Sequence, residues 1–76
     1  MSKRTAGVMR YEKRFGVIAV ELGYIEIEQL VHALRAQVIE EIHESRRRPI
    51  GQILLEQGAM TAGQVEEVVR TVLAAD

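Results

Sequence analysis

Residues 14–37 read RFGVIAVELGYIEIEQLVHALRAQ, and residues 50–72 read IGQILLEQGAMTAGQVEEVVRTV. Setting residue i against residue i+35 aligns Gly16 with Gly51, Glu21 with Glu56, Gly23 with Gly58, Gln29 with Gln64 and Arg35 with Arg70. Between these identities apolar residues face apolar residues: Phe15 and Ile50, Ile18 and Ile53, Ala19 and Leu54, Val20 and Leu55, Ile25 and Met60, Leu30 and Val65. A pattern written twice in this way describes one supersecondary unit that cannot hide its apolar face alone and packs on its twin.

Each copy reads as a short helix, a turn and a longer helix. The first helix, Tyr11 to Leu22, stops at Gly23, a residue suited to the left-handed position past a helix end. From Ile27 the apolar residues Leu30, Val31, Leu34, Val38, Ile39 and Ile42 recur at three and four residues, which predicts an amphipathic helix to about Ser45. Pro49 then ends the SRRRP junction and opens a third helix to Gln57. A fourth runs from Thr61 to Ala75, with Gln64 three residues after Thr61 in capping-box spacing. Glu26, the counterpart of Thr61, is a poorer cap whose charge suits the helix N-terminus. Gly16 and Gly51 fall inside short helices, where glycine costs about 1 kcal/mol against alanine. A close backbone approach, to a neighbouring helix or to a ligand, explains keeping both.

The expected fold is therefore all-α: four helices as two pseudo-symmetric helix-turn-helix repeats, residues 11–45 and 49–75, in one domain spanning 11–76 behind a flexible arm of residues 1–10. The expected core is Phe15, Ile18, Leu22, Leu30, Leu34, Ile50, Ile53, Leu54, Val65, Val69 and Leu73. The longer second helix should project past the repeats and leave Val38, Ile39 and Ile42 without an internal partner, which favours a homodimer or a docking surface for a protein.

Composition limits the rest. A chain of 76 residues supports one domain with a thin core. With no cysteine it has neither disulfides nor thiolate metal ligands, so stability rests on aliphatic packing or association. Ten basic and eleven acidic residues give a net charge of −1, without a global attraction for nucleic acid. The arginines of SRRRP follow the acidic EEIHE and suit the negative end of a helix. The fourth helix carries Glu66 and Glu67 where a DNA-reading helix would be basic. His32 and His43 lie eleven residues apart on one helix, about 16 Å along its axis, too far to share a metal. His43 beside Glu40 and Glu44 reads as a solvated face. No paired nucleophile and base stands out, no run approaches a membrane span, and the basic N-terminus lacks the apolar block of a signal peptide. The expectation is a cytoplasmic, non-enzymatic protein without cofactor, metal or membrane insertion.

Residues 14–37 resemble the 24-residue motif of the MshEN-type domain, a small helical domain at the N-terminus of bacterial type II secretion and type IV pilus ATPases. Arg14, Phe15, Gly16, Ala19, Gly23, Leu30, Leu34 and Gln37 stand at the motif's spacing, with Phe15 and Ala19 in place of leucines. The resemblance implies that two such motifs in tandem bind cyclic di-GMP. On that basis the candidate nucleotide-binding residues are Arg14, Phe15, Gly16, Leu30, Leu34 and Gln37, with Arg48 and Gly51 from the second copy. Arginine can pair with phosphate or guanine acceptors, and glutamine can both donate and accept at a base edge. The second copy departs from the motif: Pro49 and Val72 replace its arginine and glutamine, and eleven residues, Val38 to Arg48, intervene. Two readings stand: an interaction or adaptor module that keeps the fold without the ligand, and, as the alternative, a cyclic di-GMP-binding regulatory domain.

Overall fold

The structure, a computed structural model, describes residues 3–74, with side chains from Arg10 onward. It is all-α, four helices in a small bundle: α1 (Lys3–Glu21), α2 (Ile27–Glu44), α3 (Ile50–Glu56) and α4 (Ala62–Ala74). Helix α1 starts at Lys3, so residues 3–10, expected as an arm, extend the helix. Of those eight, Gly7 is the poorest helix former and Thr5 and Val8 are weak ones, while Lys3, Arg4, Ala6, Met9 and Arg10 favour continuation. The first two residues of that arm, and Ala75 and Asp76 at the far end, lie outside the described residues.

The two inter-helix turns carry the same bonds 35 residues apart. Leu22 N–H donates to the Ile18 carbonyl at 2.8 Å, and Gln57 N–H to that of Ile53 at 2.9 Å. Tyr24 N–H donates to the Ala19 carbonyl at 3.0 Å, and Ala59 N–H to that of Leu54 at 2.9 Å. Gly23 and Gly58 both take positive φ, 80° and 75°, as a helix-ending turn requires. At the next helix start, Gln29 Oε1 accepts from Glu26 N–H and Gln64 Oε1 from Thr61 N–H. Thr61 Oγ1 completes the second box by accepting from Gln64 N–H. Pro49 sits at the N-cap of α3, one place earlier than its expected position in the first turn, where its missing N–H costs nothing.

Packing crosses between the two halves of the chain: α1 lies chiefly on α4, α2 on α3, and α1 and α2 meet least. The core holds Phe15, Ala19, Ile25, Ala33, Ile50, Ile53, Leu54, Met60, Val68 and Val72, with Ile18, Leu30, Val65 and Val69 packed around it. Three expected core residues are instead exposed: Leu22, Leu34 and Leu73, the last at 63%. Reading large aliphatics as the inward face turned both long helices by one residue. The inward positions are Ala33 and Gln37 on α2 and Val68 and Val72 on α4, again 35 apart. Ala33, with only a methyl group, belongs in the tight α2–α3 seam, while Leu34 one position on faces outward.

Both mid-helix glycines answer to neighbouring side chains. A Cβ on Gly51 would lie 2.9 Å from Cζ of Phe15, and one on Gly16 would lie 2.7 Å from Cδ1 of Leu30. Phe15 is fully buried and cannot withdraw, whereas Leu30 is half-buried and can rotate. Gly51→Ala should therefore cost about 1–3 kcal/mol by overpacking, and Gly16→Ala clearly less. Gly63→Ala, where nothing lies within 4 Å, should be neutral or stabilising. Thermal melts of the three variants check this order, and equal melting temperatures would refute the packing account.

Candidate functional site

A buried carboxylate joins three of the four helices. Glu12 lies on the inward stripe of α1, with Phe15 and Ala19, and is only 6% exposed. Its Oε1 accepts from Gln37 Nε2 on α2 at 2.8 Å and from the Ile50 N–H at the start of α3 at 3.0 Å. The Ile50 donor belongs to a first turn that no intrahelical carbonyl can satisfy, and a negative charge is favourable there. Gln37 Nε2 also donates to the Arg48 carbonyl at 2.8 Å, so both its amide protons are used within the junction. Arg47 Nη2 stands 3.7 Å from the same Glu12 oxygen and partly compensates the buried charge. The other oxygen, Oε2, is out of contact with solvent and has no hydrogen-bond partner among the described residues.

The arginines of the junction are occupied in the same way. Arg48 donates through Nε and Nη2 to the two oxygens of Glu40, a bidentate pair, and through Nη1 to Glu56. Arg46 reaches Glu40 at 3.5 Å, and Arg47 reaches Glu41 at 3.6 Å. The hydrogen bond from Arg48 holds the Glu40 carboxyl below its ordinary range, against the opposing effect of burial. The SRRRP run is thus a clasp between the end of α2 and α3, and its positive charge faces glutamates.

Where α1 and α2 diverge, a groove of about 210 Å³ opens, walled by Gly16, Val17, Leu30 and Leu34, with Glu12, Lys13 and Arg47 completing its lining. It gathers three of the residues named from the sequence: Gly16, Leu30 and Leu34. Arg14 lines a separate shallow cavity with Lys13, Val17, Ile18 and Glu21. Phe15 and Gly51 are core residues in mutual contact. Gln37 is buried in the Glu12 junction and Arg48 is in the clasp. His32 lines a third cavity, with Glu28, Gln29, Gln57 and Ala59. Sequence reasoning passed over Glu12, Lys13 and Val17, and read Arg47 only as part of the SRRRP run. The available signal for Glu12 was an acid standing in the apolar stripe at 12, 15 and 19.

No protein-family model, curated protein or solved structure matches the chain.

The Glu12 junction makes a stability prediction. Glu12→Ala strips the acceptor from two buried donors and should cost roughly 2–4 kcal/mol. Glu12→Gln keeps an acceptor oxygen and should cost less than half as much. Urea denaturation measures both, and a loss below about 0.5 kcal/mol for Glu12→Ala would mean that water satisfies these donors.

Proposed function

We propose that this chain is a small, cytoplasmic, non-enzymatic adaptor of MshEN-like fold that pairs with a second copy through the C-terminal half of α2. The matched turns at Gly23 and Gly58 and the crossed packing support reading its two halves as copies of one unit. The observation that carries the pairing is the apolar surface on α2. Val38 is 49% exposed, Ile39 44% and Ile42 71%, on a helix of 18 residues whose counterpart α4 has 13. Such residues gain about 25 cal/mol per Å² of apolar surface removed from water, and contiguous exposed apolar surface marks a contact site. Charge favours an antiparallel crossing near Ile39. It sets the Arg35 end of one helix beside the Glu41 and Glu44 end of the other, whereas a parallel pair would stack those glutamates on each other. Among the described residues no helix is long and apolar enough to cross a membrane, in keeping with a partner in water.

Sedimentation velocity tests the pairing. The wild type should run as a dimer, and Ile42→Glu as a monomer of unchanged helicity. A wild type that stays monomeric at every loading concentration overturns the proposal.

One observation favours cyclic di-GMP binding as a second reading: Gly16, Leu30 and Leu34, named from the family resemblance, share one groove with Lys13 and Arg47 in its lining. Against it, Gln37 and Arg48 are committed to internal hydrogen bonds. Calorimetric titration decides. Under this reading heat is released and Lys13→Ala, which removes a cation from the groove lining, weakens affinity about tenfold to a hundredfold; absence of heat at high ligand concentration ends it.

A further inference from the structure

We infer that, in the α2 pairing proposed above, the groove between α1 and α2 is the seat of Ile42 from the partner subunit, so that each copy's α2 closes the other's groove. The seat rests on that pairing and adds where the end of the helix docks. Pairing through the C-terminal half of α2 alone leaves the interface too small. A specific interface takes roughly 800 Å² from each partner, and Val38, Ile39 and Ile42 on half a helix fall short of that. More apolar surface lies beside them. Val31, Leu34, Val38 and Ile42 are all exposed and follow one another at three and four residues, so they form one stripe down α2. Leu34 belongs both to that stripe and to the groove, which Val17 on α1, also exposed, walls with it. Stripe and groove are one continuous apolar surface.

Register, size and charge each select Ile42 as the occupant. An antiparallel pair crossing at Val38 sets Val38 on the partner's Val38. Leu34 lies four residues before Val38 and Ile42 four after it, about 6 Å along the axis either way. The crossing therefore carries the partner's Ile42 to Leu34, at the edge of the groove, and twofold symmetry repeats the contact in reverse. Ile42, at 71%, is the most exposed large apolar side chain among the described residues. The groove holds about 210 Å³. A cavity of about 150 Å³ already takes a six-carbon ring, so the four-carbon side chain of isoleucine enters. Lys13 and Arg47 stand in the lining, and Lys13 makes no ion pair among the described residues. Glu41, next to Ile42, keeps half its side chain exposed beyond its contact with Arg47. On the partner it comes to the cationic rim together with Ile42, where a carboxylate is favoured.

The chain has no cysteine, so introduced thiols are the only ones present. In the test, full chains carrying Val17→Cys and full chains carrying Ile42→Cys are mixed, left to exchange partners and oxidised. A disulfide closes only where Cα atoms come within about 7 Å, so the mixed disulfide should outnumber both like pairs together. Val38→Cys should cross-link to its own kind, as the twofold requires. Leu73→Cys, exposed on α4 and outside the groove, should give no mixed disulfide with Ile42→Cys. A second arm needs no thiol. Val17→Arg and Ile42→Glu should each sediment as monomers, and their mixture should recover a dimer, because the two substitutions meet in one groove with opposite charge while the other groove stays native. Like pairs in equal or greater number, or a mixture that stays monomeric, overturns the seating of Ile42. If Val38→Cys cross-links and the mixed disulfide is missing, the groove seat falls and the pairing stands. A wild type monomeric at every concentration overturns both.

Discussion

The arrangement of the bundle depends on one carboxylate oxygen. Helix α3 has seven residues, too few to be stable alone, and it begins just after a proline. Its first free N–H meets Glu12 Oε1, and the same oxygen receives Gln37 from α2. Within the interior such bonds are stronger than in water, and they require one register of all three helices. Hydrophobic contact among Phe15, Ile50, Ile53 and Leu54 supplies the larger share of stability but tolerates sliding. The polar contact selects the one registry in which three helices agree.

This explains what the amino-acid sequence disclosed and what it withheld. Helix number, the turn at Gly23 and Gly58 and the Thr61 capping box were legible because each rests on local chemistry: left-handed glycine, hydroxyl cap, apolar period. The inward face of α2 was not. Hydrophobicity ranks Leu34 above Ala33 and Gln37, yet Ala33 and Gln37 are buried. The seam selects a small residue and a polar residue with ready partners, and both choices depend on residues distant in the chain. Glu12 was hidden for the same reason, since its partners lie 25 and 38 residues away. Of the site residues named from the family resemblance, the apolar and glycine positions Gly16, Leu30 and Leu34 gather in one groove. The polar pair Arg14 and Gln37 is divided between a surface cavity and a buried junction.

Residues 35 positions apart differ in ways that have a structural meaning. Val72 stands 35 positions after Gln37, and both are buried. A valine is self-sufficient there, whereas a glutamine needs Glu12 and a free carbonyl beside it. Arg47, 35 positions after Glu12, lies 3.7 Å from it, and the two bear opposite charge and attract each other. Positions 35 apart thus carry complementary charge, which two halves of identical sequence could not do.

The crossed packing also bears on how the chain can go astray. Because α1 lies chiefly on α4 and α2 on α3, most of the burial is shared between the first half and the second. The segment joining those halves, residues 45–49, is held against the bundle mainly by Arg46, Arg47 and Arg48 on their glutamates. If that segment straightens, the first half of one molecule can receive the second half of another through the same contacts it makes at home. Exchange of this kind leaves the core unchanged and alters only the hinge. Arg48, paired with both Glu40 and Glu56, and Gln37, bonded to the Arg48 carbonyl, resist that straightening.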